Sequence, residues 1–436
     1  MRLPLVLLTL LAALASARGD LASQIALAEE ARDTHATIEL LRRWLDVHPN
    51  DQEALQRQAL LWLEVPDFDR AAHLLPGISD PGFVARAKAD IARRQGGSLP
   101  AALEILRARW ASAPEDAATG RQLSRDLLAA SLSGEQVAVL DALIARKADA
   151  GLLLDRADAK RTLNDPQGAL ADFRKAASMD PDGQRVQSER PGFERLQAAA
   201  GHLAALAKLA AKPQTEIRKA YWSLYGGMAG PALAAARAGL ASWPESAAGK
   251  ILEARARTAL GPSDADRAGT ERMVDVGKPM ESPEVLDGIL DADAVLAARK
   301  DDTSARIDRA GWLTSAGQNA LAHADIEAVL ATSPGSIPAL HLAVTISRRQ
   351  GNFPAATAYA GRLEKLKAPR AVLCDVFTAL GQMAFEQSNF PLALDFAERS
   401  LGIGSTPLAW ELKAACHTRL GQLNEAADAT KKAGRP

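Results

Sequence analysis

The sequence predicts an all-α chain, a solenoid of stacked antiparallel helix pairs, and three observations carry that prediction. The first is internal repetition. Gln350-Gly351-Asn352-Phe353-Pro354-Ala355-Ala356 recurs 37 residues later as Gln387-Ser388-Asn389-Phe390-Pro391-Leu392-Ala393. Gly317 stands 34 residues before Gly351, and Ala426 stands 33 after Ala393. Such intervals are the length of two helices and two turns. The second is composition: alanine is the commonest residue and aromatics make up only 4%. Bulky β-branched and aromatic residues fill β and α/β cores, whereas alanine suits helices that approach closely. The third is a shared local pattern, a helix of about four turns, a tight turn holding Gly or Asn, and a second helix with a small residue near its start.

Taken in chain order, residues 1–17 read as a cleavable export signal. Met1-Arg2 is a short basic start, Leu3 to Leu14 is apolar apart from Pro4 and Thr9, and Ala15-Ser16-Ala17 offers small residues for cleavage before Arg18. The apolar stretch reaches 15 residues at most, short of the ~20 that span a bilayer core, which counts against an uncleaved anchor. No Cys follows it, so no lipid attachment is expected. Residues 18–260 read as a degenerate array of helix pairs. Thr37 to Pro49 and Phe68 to Leu75 have the pattern of second helices, and so do the segments around Ala102, Ala169 and Ala232. Residues 182–215 hold an alanine-rich helix without a clear partner. Residues 261–302 read as an irregular helical connection, with Gly261-Pro262, Gly277 to Pro279 and an additional helix from about Pro283 to Arg299. Both stretches are open to two readings, degenerate repeats or points where curvature changes. Residues 303–436 read as the well-formed array. There Ile337 to Gln350 is a first helix with Leu340, Ala343, Val344 and Ile346 on its apolar side. Asn352 and Asn389 are placed to cap second helices, with Pro354 and Pro391 in the first turn, where a missing N–H costs nothing. Ala322, Ala356, Ala393 and Ala426 mark the closest crossings.

These residues resemble the tetratricopeptide repeat. Phe377, Leu380, Gly381 and Ala393, with Phe390 at the turn, fit one unit; Trp410, Ala414, Gly421 and Ala426 fit the last; Ala310, Gly317, Ala322 and Pro334 fit another. The match is specific over residues 303–434. The resemblance implies a right-handed superhelix whose first helices line a concave groove, and a role as adaptor or assembly scaffold. Threading the last units onto that geometry places His341, Thr345, Arg348, Asp375, Thr378, Gln382, Phe385, Glu411 and Thr418 toward the groove. This is a mixed-charge face, equally an ordinary solvated surface or a modest binding face for an extended peptide or a partner helix. The peptide-carboxylate clamp of some family members needs Asn on first helices. Asn50, Asn164, Asn319, Asn352, Asn389 and Asn424 all fall at turns or loop ends, so that clamp is not expected.

Other chemistry is not expected either. Lys plus Arg number 52 against 53 for Asp plus Glu, giving −1, or −2 once Arg2 leaves with the signal; nucleic-acid binding calls for a basic surplus. Cys374 and Cys416 fall too far apart along neighbouring helices for a disulfide and read as free, buried thiols. Cys416-His417 lacks the partners of a metal or haem site, and the seven histidines are scattered, so no metal or cofactor is expected. Glu245-Ser246 and Glu281-Ser282 carry the residue pair of lytic transglycosylases, yet each lies beside a proline at a turn, without the sequence of that catalytic lobe. No catalytic residue is expected. Trp44, Trp62, Trp110, Trp243 and Trp312 read as core packing. Arginines far outnumber lysines, a composition of GC-rich bacterial genomes. The expectation is therefore an exported protein, periplasmic or secreted, that is no enzyme. It would act as a scaffold in a cell-envelope assembly and reach membranes only through partners. The alternative is a glycan-binding accessory subunit of peptidoglycan or exopolysaccharide machinery; a chaperone for unfolded clients is a third.

Overall fold

The computed structural model describes residues 21–261 and 282–434. The export signal expected at 1–17 and Glu281 of the second Glu-Ser pair lie outside them. The described residues are helical with connecting turns and contain no strand. They divide into two compact units, residues 1–194 and 195–436.

In the first unit the helices are α1 (Leu21–Glu30), α2 (Thr34–Val47), α3 (Gln52–Glu64), α4 (Phe68–Leu74), α5 (Pro81–Arg94), α6 (Leu99–Ser112), α7 (Ala117–Ala129), α8 (Ser133–Arg146), α9 (Ala150–Thr162) and α10 (Pro166–Met179). The division falls inside α11 (Gln184–Leu206), the alanine-rich helix. The second unit continues with α12 (Pro213–Tyr225), α13 (Ala229–Ser242), α14 (Ala247–Leu260), α15 (Pro283–Ala298), α16 (Thr303–Ser315), α17 (Asn319–Thr332), α18 (Ile337–Arg349), α19 (Phe353–Lys365), α20 (Arg370–Glu386), α21 (Phe390–Ile403), α22 (Pro407–Arg419) and α23 (Leu423–Lys432).

Within each unit the packing has two components. A helix packs on the next one in the chain, and the first helix of a pair also packs on the first helix of the following pair: α3 on α5 on α7, α16 on α18 on α20 on α22. Stacking of this kind buries a stripe that no single pair can bury alone. The stripe of the second unit runs through Ile217, Leu286, Leu313, Leu340 and Leu380. A separate cluster in the first unit holds Leu106, Leu123, Leu140 and Leu152.

Local chemistry sets the ends of the pairs. Asn352 and Asn389 accept the N–H groups of Ala355 and Leu392 at 3.1 and 3.3 Å, with Pro354 and Pro391 in the first turn. Asn319 and Asn424, in contrast, stand inside the first turns of α17 and α23 and cap nothing. The turn between paired helices holds a left-handed residue in every well-formed pair. Gly97, Gly227, Gly317, Gly351 and Gly421 take it, and so do Asn164, Ser131 and Ser388. The chain then closes on the preceding helix by a Schellman-type bond, such as Asn352 N–H to Ser347 O at 2.9 Å and Asn389 N–H to Ala384 O at 2.9 Å. Ser388 thus does the work of glycine at a site where L-residues are rarely found.

The crossings are as close as their small residues require. Ala322, Ala356 and Ala393 are fully buried. A Cβ on Gly381 would lie 2.6 Å from Leu412 Cδ2 and 3.2 Å from the Ala393 carbonyl oxygen. Both cysteines are free and buried. Cys374 sits one turn inside α20, which starts at Arg370 rather than at the cysteine. Burial pushes the Cys416 thiol up to about 11.

Helix α15 belongs to the array. It packs on α14 and on α16, the position of a second helix, and a recurring ion pair marks it so. In α9, Arg156 bonds Asp172 of its own partner α10 and Asp141 of the preceding α8. In α16, Arg309 bonds Asp325 of its own partner α17 at 2.6 and 2.8 Å and Asp293 of the preceding α15 at 2.9 Å. Lys413 of α22 repeats half of the arrangement, reaching Glu398 of α21 at 2.7 Å. One cation on a first helix therefore bridges the two second helices beside it.

This arrangement makes the first unit acid-sensitive. Burial pushes the Asp172 carboxyl up, but hydrogen bonds from Arg156 and Lys160 outweigh it and hold the group below its ordinary value. A carboxyl that ionises more readily in the folded state adds stability above its unfolded pKa, and that stability is lost as pH falls through the folded value. Urea melts of the wild type should therefore weaken below about pH 4, and Asp172→Asn should flatten that acid limb. An acid limb of equal slope in the variant would remove Asp172 as its source.

Candidate interaction groove

Between the adjacent first helices α18 and α20 lies an open cavity of about 260 Å³. Helix α18 contributes His341, Val344, Thr345 and Arg348; α20 contributes Asp375, Val376, Thr378, Ala379 and Gln382; Thr406 and Leu408 close one end. The supporting helices are well anchored. Ser336 caps α18, and Arg349 at its far end donates to the Thr314 carbonyl at 2.6 Å. Helix α20 is held from below by Phe377, stacked on Phe396 at 6.3 Å.

Six of the nine residues placed toward a groove by sequence line this cavity: His341, Thr345, Arg348, Asp375, Thr378 and Gln382. Their roles differ. The Thr378 hydroxyl is buried, donates to the Cys374 carbonyl at 2.8 Å and lies 3.0 Å from Ser400 Oγ, so Thr378 supplies wall. Thr345 donates to the His341 carbonyl at 3.3 Å. The His341 ring, the Arg348 guanidinium, the Asp375 carboxylate and the Gln382 amide form no hydrogen bond or ion pair among the described residues. The first, second and fourth of these are half-buried, and Asp375 is exposed.

The other three lie elsewhere. Phe385 is half-buried and packs edge-on against the turn residue Phe390 at 5.2 Å, beside Ala384, Ala393 and Leu412. Glu411 is half-buried on α22. Thr418 is exposed, its hydroxyl turned back on the Ala414 carbonyl at 2.9 Å. What sequence reasoning missed is the floor. Val376 and Ala379 reach the cavity from α20, and Val344, read as part of the core side of α18, reaches it as well. Helical spacing alone does not separate a residue under a groove from one under a neighbouring helix.

A larger cavity of about 510 Å³ lies beside Trp243, Ser246, Asp293, Lys300, Arg306 and Arg309. Its central groups are saturated by one another. Asp293 accepts from Ser246 Oγ at 2.6 Å, the Ala247 and Ala248 N–H groups at 3.3 and 3.4 Å, and Arg309 at 2.9 Å. Ser246 also caps α14, and Glu245 pairs with Lys250 at 2.9 Å, so this Glu-Ser pair is structural. Burial raises the Asp293 carboxyl pKa, against the pull of Ser246 and Arg309. Among the described residues no three or more His, Cys, Asp or Glu side chains are grouped to hold a metal ion. No described helix is long and apolar enough to cross a membrane.

No protein-family model matches the chain, and no curated protein matches it. Solved structures are similar to it only at low identity and low TM-score. The Cut9-Hcn1 hetero-tetramer of the APC/C is similar at a TM-score of 0.31 and 11% identity, covering 97% of this chain and 80% of that one. A tetratricopeptide repeat protein from Parabacteroides merdae ATCC 43184 is similar at 0.30 and 13%, covering 65% and 92%. Yeast Tom70 is similar at 0.29 and 14%, covering 81% and 84%.

Proposed function

We propose that the chain is a non-catalytic scaffold that holds partner proteins on the face built by its first helices. The observation that carries this reading is the α18–α20 cavity, where four polar side chains stand over an apolar floor with their bonding capacity unspent. Elsewhere in the same unit, buried and half-buried charges are largely paired, as Arg309 and Asp325 are. Polar groups left open on a rigid, preformed surface suit recognition, because they lose no internal bonds when a partner arrives. The basic start, apolar core and Ala15-Ser16-Ala17 of the sequence support export. We assign the scaffold to a periplasmic, cell-envelope assembly on that ground.

A photo-crosslinking residue at Thr345 in cells tests the scaffold. It should trap a discrete protein partner, while the same probe at Lys365, exposed on the second helix α19, should not. Equal labelling from both positions, or none from either, would sink the reading. The mature protein should have an intact mass beginning at Arg18. Co-sedimentation with purified peptidoglycan sacculi, in the absence of other proteins, would favour a glycan binder instead.

A further inference from the structure

The cavity has two chemically different ends. His341 and Arg348 are seven residues apart on α18, and Asp375 and Gln382 are seven apart on α20. Seven residues are two helical turns, so each pair shares a face and is separated by ~10 Å. The two helices occupy equivalent places in successive pairs and run in the same sense. His341 is the fifth residue of α18 and Asp375 the sixth of α20; Arg348 is the twelfth and Gln382 the thirteenth. One end therefore carries the only acid of the lining, beside an imidazole. The other carries its only guanidinium, beside an amide. Val344, Val376 and Ala379 lie between them.

We infer that this groove recognises an extended peptide carrying a basic and an acidic side chain three residues apart, held in polyproline-II geometry. The inference rests on the scaffold reading of the same cavity. Charge complementarity sets the two side chains: the peptide's Lys or Arg meets Asp375, and its Asp or Glu meets Arg348. The spacing sets the conformation. Polyproline II rises ~3.1 Å per residue with three residues per turn, so positions i and i+3 lie on one face ~9 Å apart. That matches the separation of the two ends. A β-strand places i and i+3 on opposite faces, and in an α-helix i and i+3 are only ~4.5 Å apart along the axis, about half the separation of the two ends. Polyproline II also leaves its backbone groups unbonded, and the Gln382 amide offers both a donor and an acceptor to them.

The test uses the full chain and four fluorescent peptides, acetylated and amidated so that their ends carry no charge. Their cores are Lys-Pro-Pro-Glu, Lys-Pro-Pro-Lys, Glu-Pro-Pro-Glu and Lys-Glu-Pro-Pro. By anisotropy, the first should bind about tenfold or more tightly than each of the others, as close charge pairs at interfaces do. Arg348→Glu should lose that preference and transfer it to Lys-Pro-Pro-Lys. The Arg348 guanidinium forms no hydrogen bond or ion pair among the described residues, so the variant should keep the wild-type circular dichroism and melt. Equal binding by all four peptides, binding by none, or an unchanged preference in Arg348→Glu overturns the inference. If the Thr345 probe still traps a partner in any of those cases, the scaffold reading survives it. If the trap also fails, both fall.

Discussion

Arg309→Met should be among the most damaging single substitutions in the second unit, costing about 3–5 kcal/mol, the usual effect of removing one partner from a buried ion pair. The Arg309 side chain is 13% exposed, and those of Asp293 and Asp325 are 1% and 6% exposed. Burial works against the charge of Arg309, but its bonds to Asp325 and Asp293 hold its pKa above the ordinary arginine range. Methionine keeps most of the apolar stem while leaving Asp293 buried without a cation and Asp325 with only Arg306, at 3.8 Å. The measurement is a urea melt with hydrogen exchange, because stability in a stacked array is local; protection should fall first in α15, α16 and α17. Two controls define the cause. Adding Asp293→Asn and Asp325→Asn to Arg309→Met should restore part of the loss, since neutral amides cost less to bury than unpaired charges. Lowering the pH should narrow the gap to wild type, because the variant lacks the Arg309 charge that pulls the raised Asp293 carboxyl pKa down, and so gains more than wild type when that carboxyl is protonated. If the triple variant is no more stable than Arg309→Met, the bridge is not what holds α15 in place.

Phe377→Ala should cost a similar amount, about 3–5 kcal/mol for an aromatic truncation in a packed core. Phe377 is 2% exposed and stacks on Phe396. The Arg399 guanidinium lies 4.1 Å from its ring centroid and pairs with Glu364 of α19 at 2.6 Å. One ring thus joins α20 to its partner α21 and, through Arg399, to the preceding second helix. The variant should loosen α19, α20 and α21 together in hydrogen exchange. It should also weaken binding in the groove, since the floor residue Val376 is its neighbour in α20. Leu423→Ser is the contrast: at 70% exposed, that side chain should change stability by no more than about 0.5 kcal/mol. Equal losses in the two variants would mean that burial is not setting the scale.

The groove was legible in part. Threading the units onto the geometry of the repeat they resemble places His341, Thr345, Arg348, Asp375 and Gln382 together without coordinates, and all five line the cavity. Spacing did not show that Phe385 packs on Phe390. An aromatic at the penultimate position of a helix can turn outward or fold back on the next turn, and the choice depends on Phe390, which approaches from the following helix. Thr378 shows the same limit, because its hydroxyl is taken by Ser400 across the pair.

Local chemistry alone made several features readable in the sequence: helix periodicity, the Asn352 and Asn389 caps, left-handed turns, alanine crossings and free thiols. Each depends on residues within about one helical turn, or on a register the repeat makes explicit. What only the tertiary structure decided are the contacts between residues whose spacing varies. Arg309 meets Asp293 across a loop, and Gly288 lies so close under the Trp312 ring that a Cβ would come within 2.3 Å of it. That contact explains why a glycine stands in the middle of α15. The long stretch of sequence before α15 hides the pairing from any periodic reading, because the number of residues between two elements is free to vary while the packing of two helix faces is not.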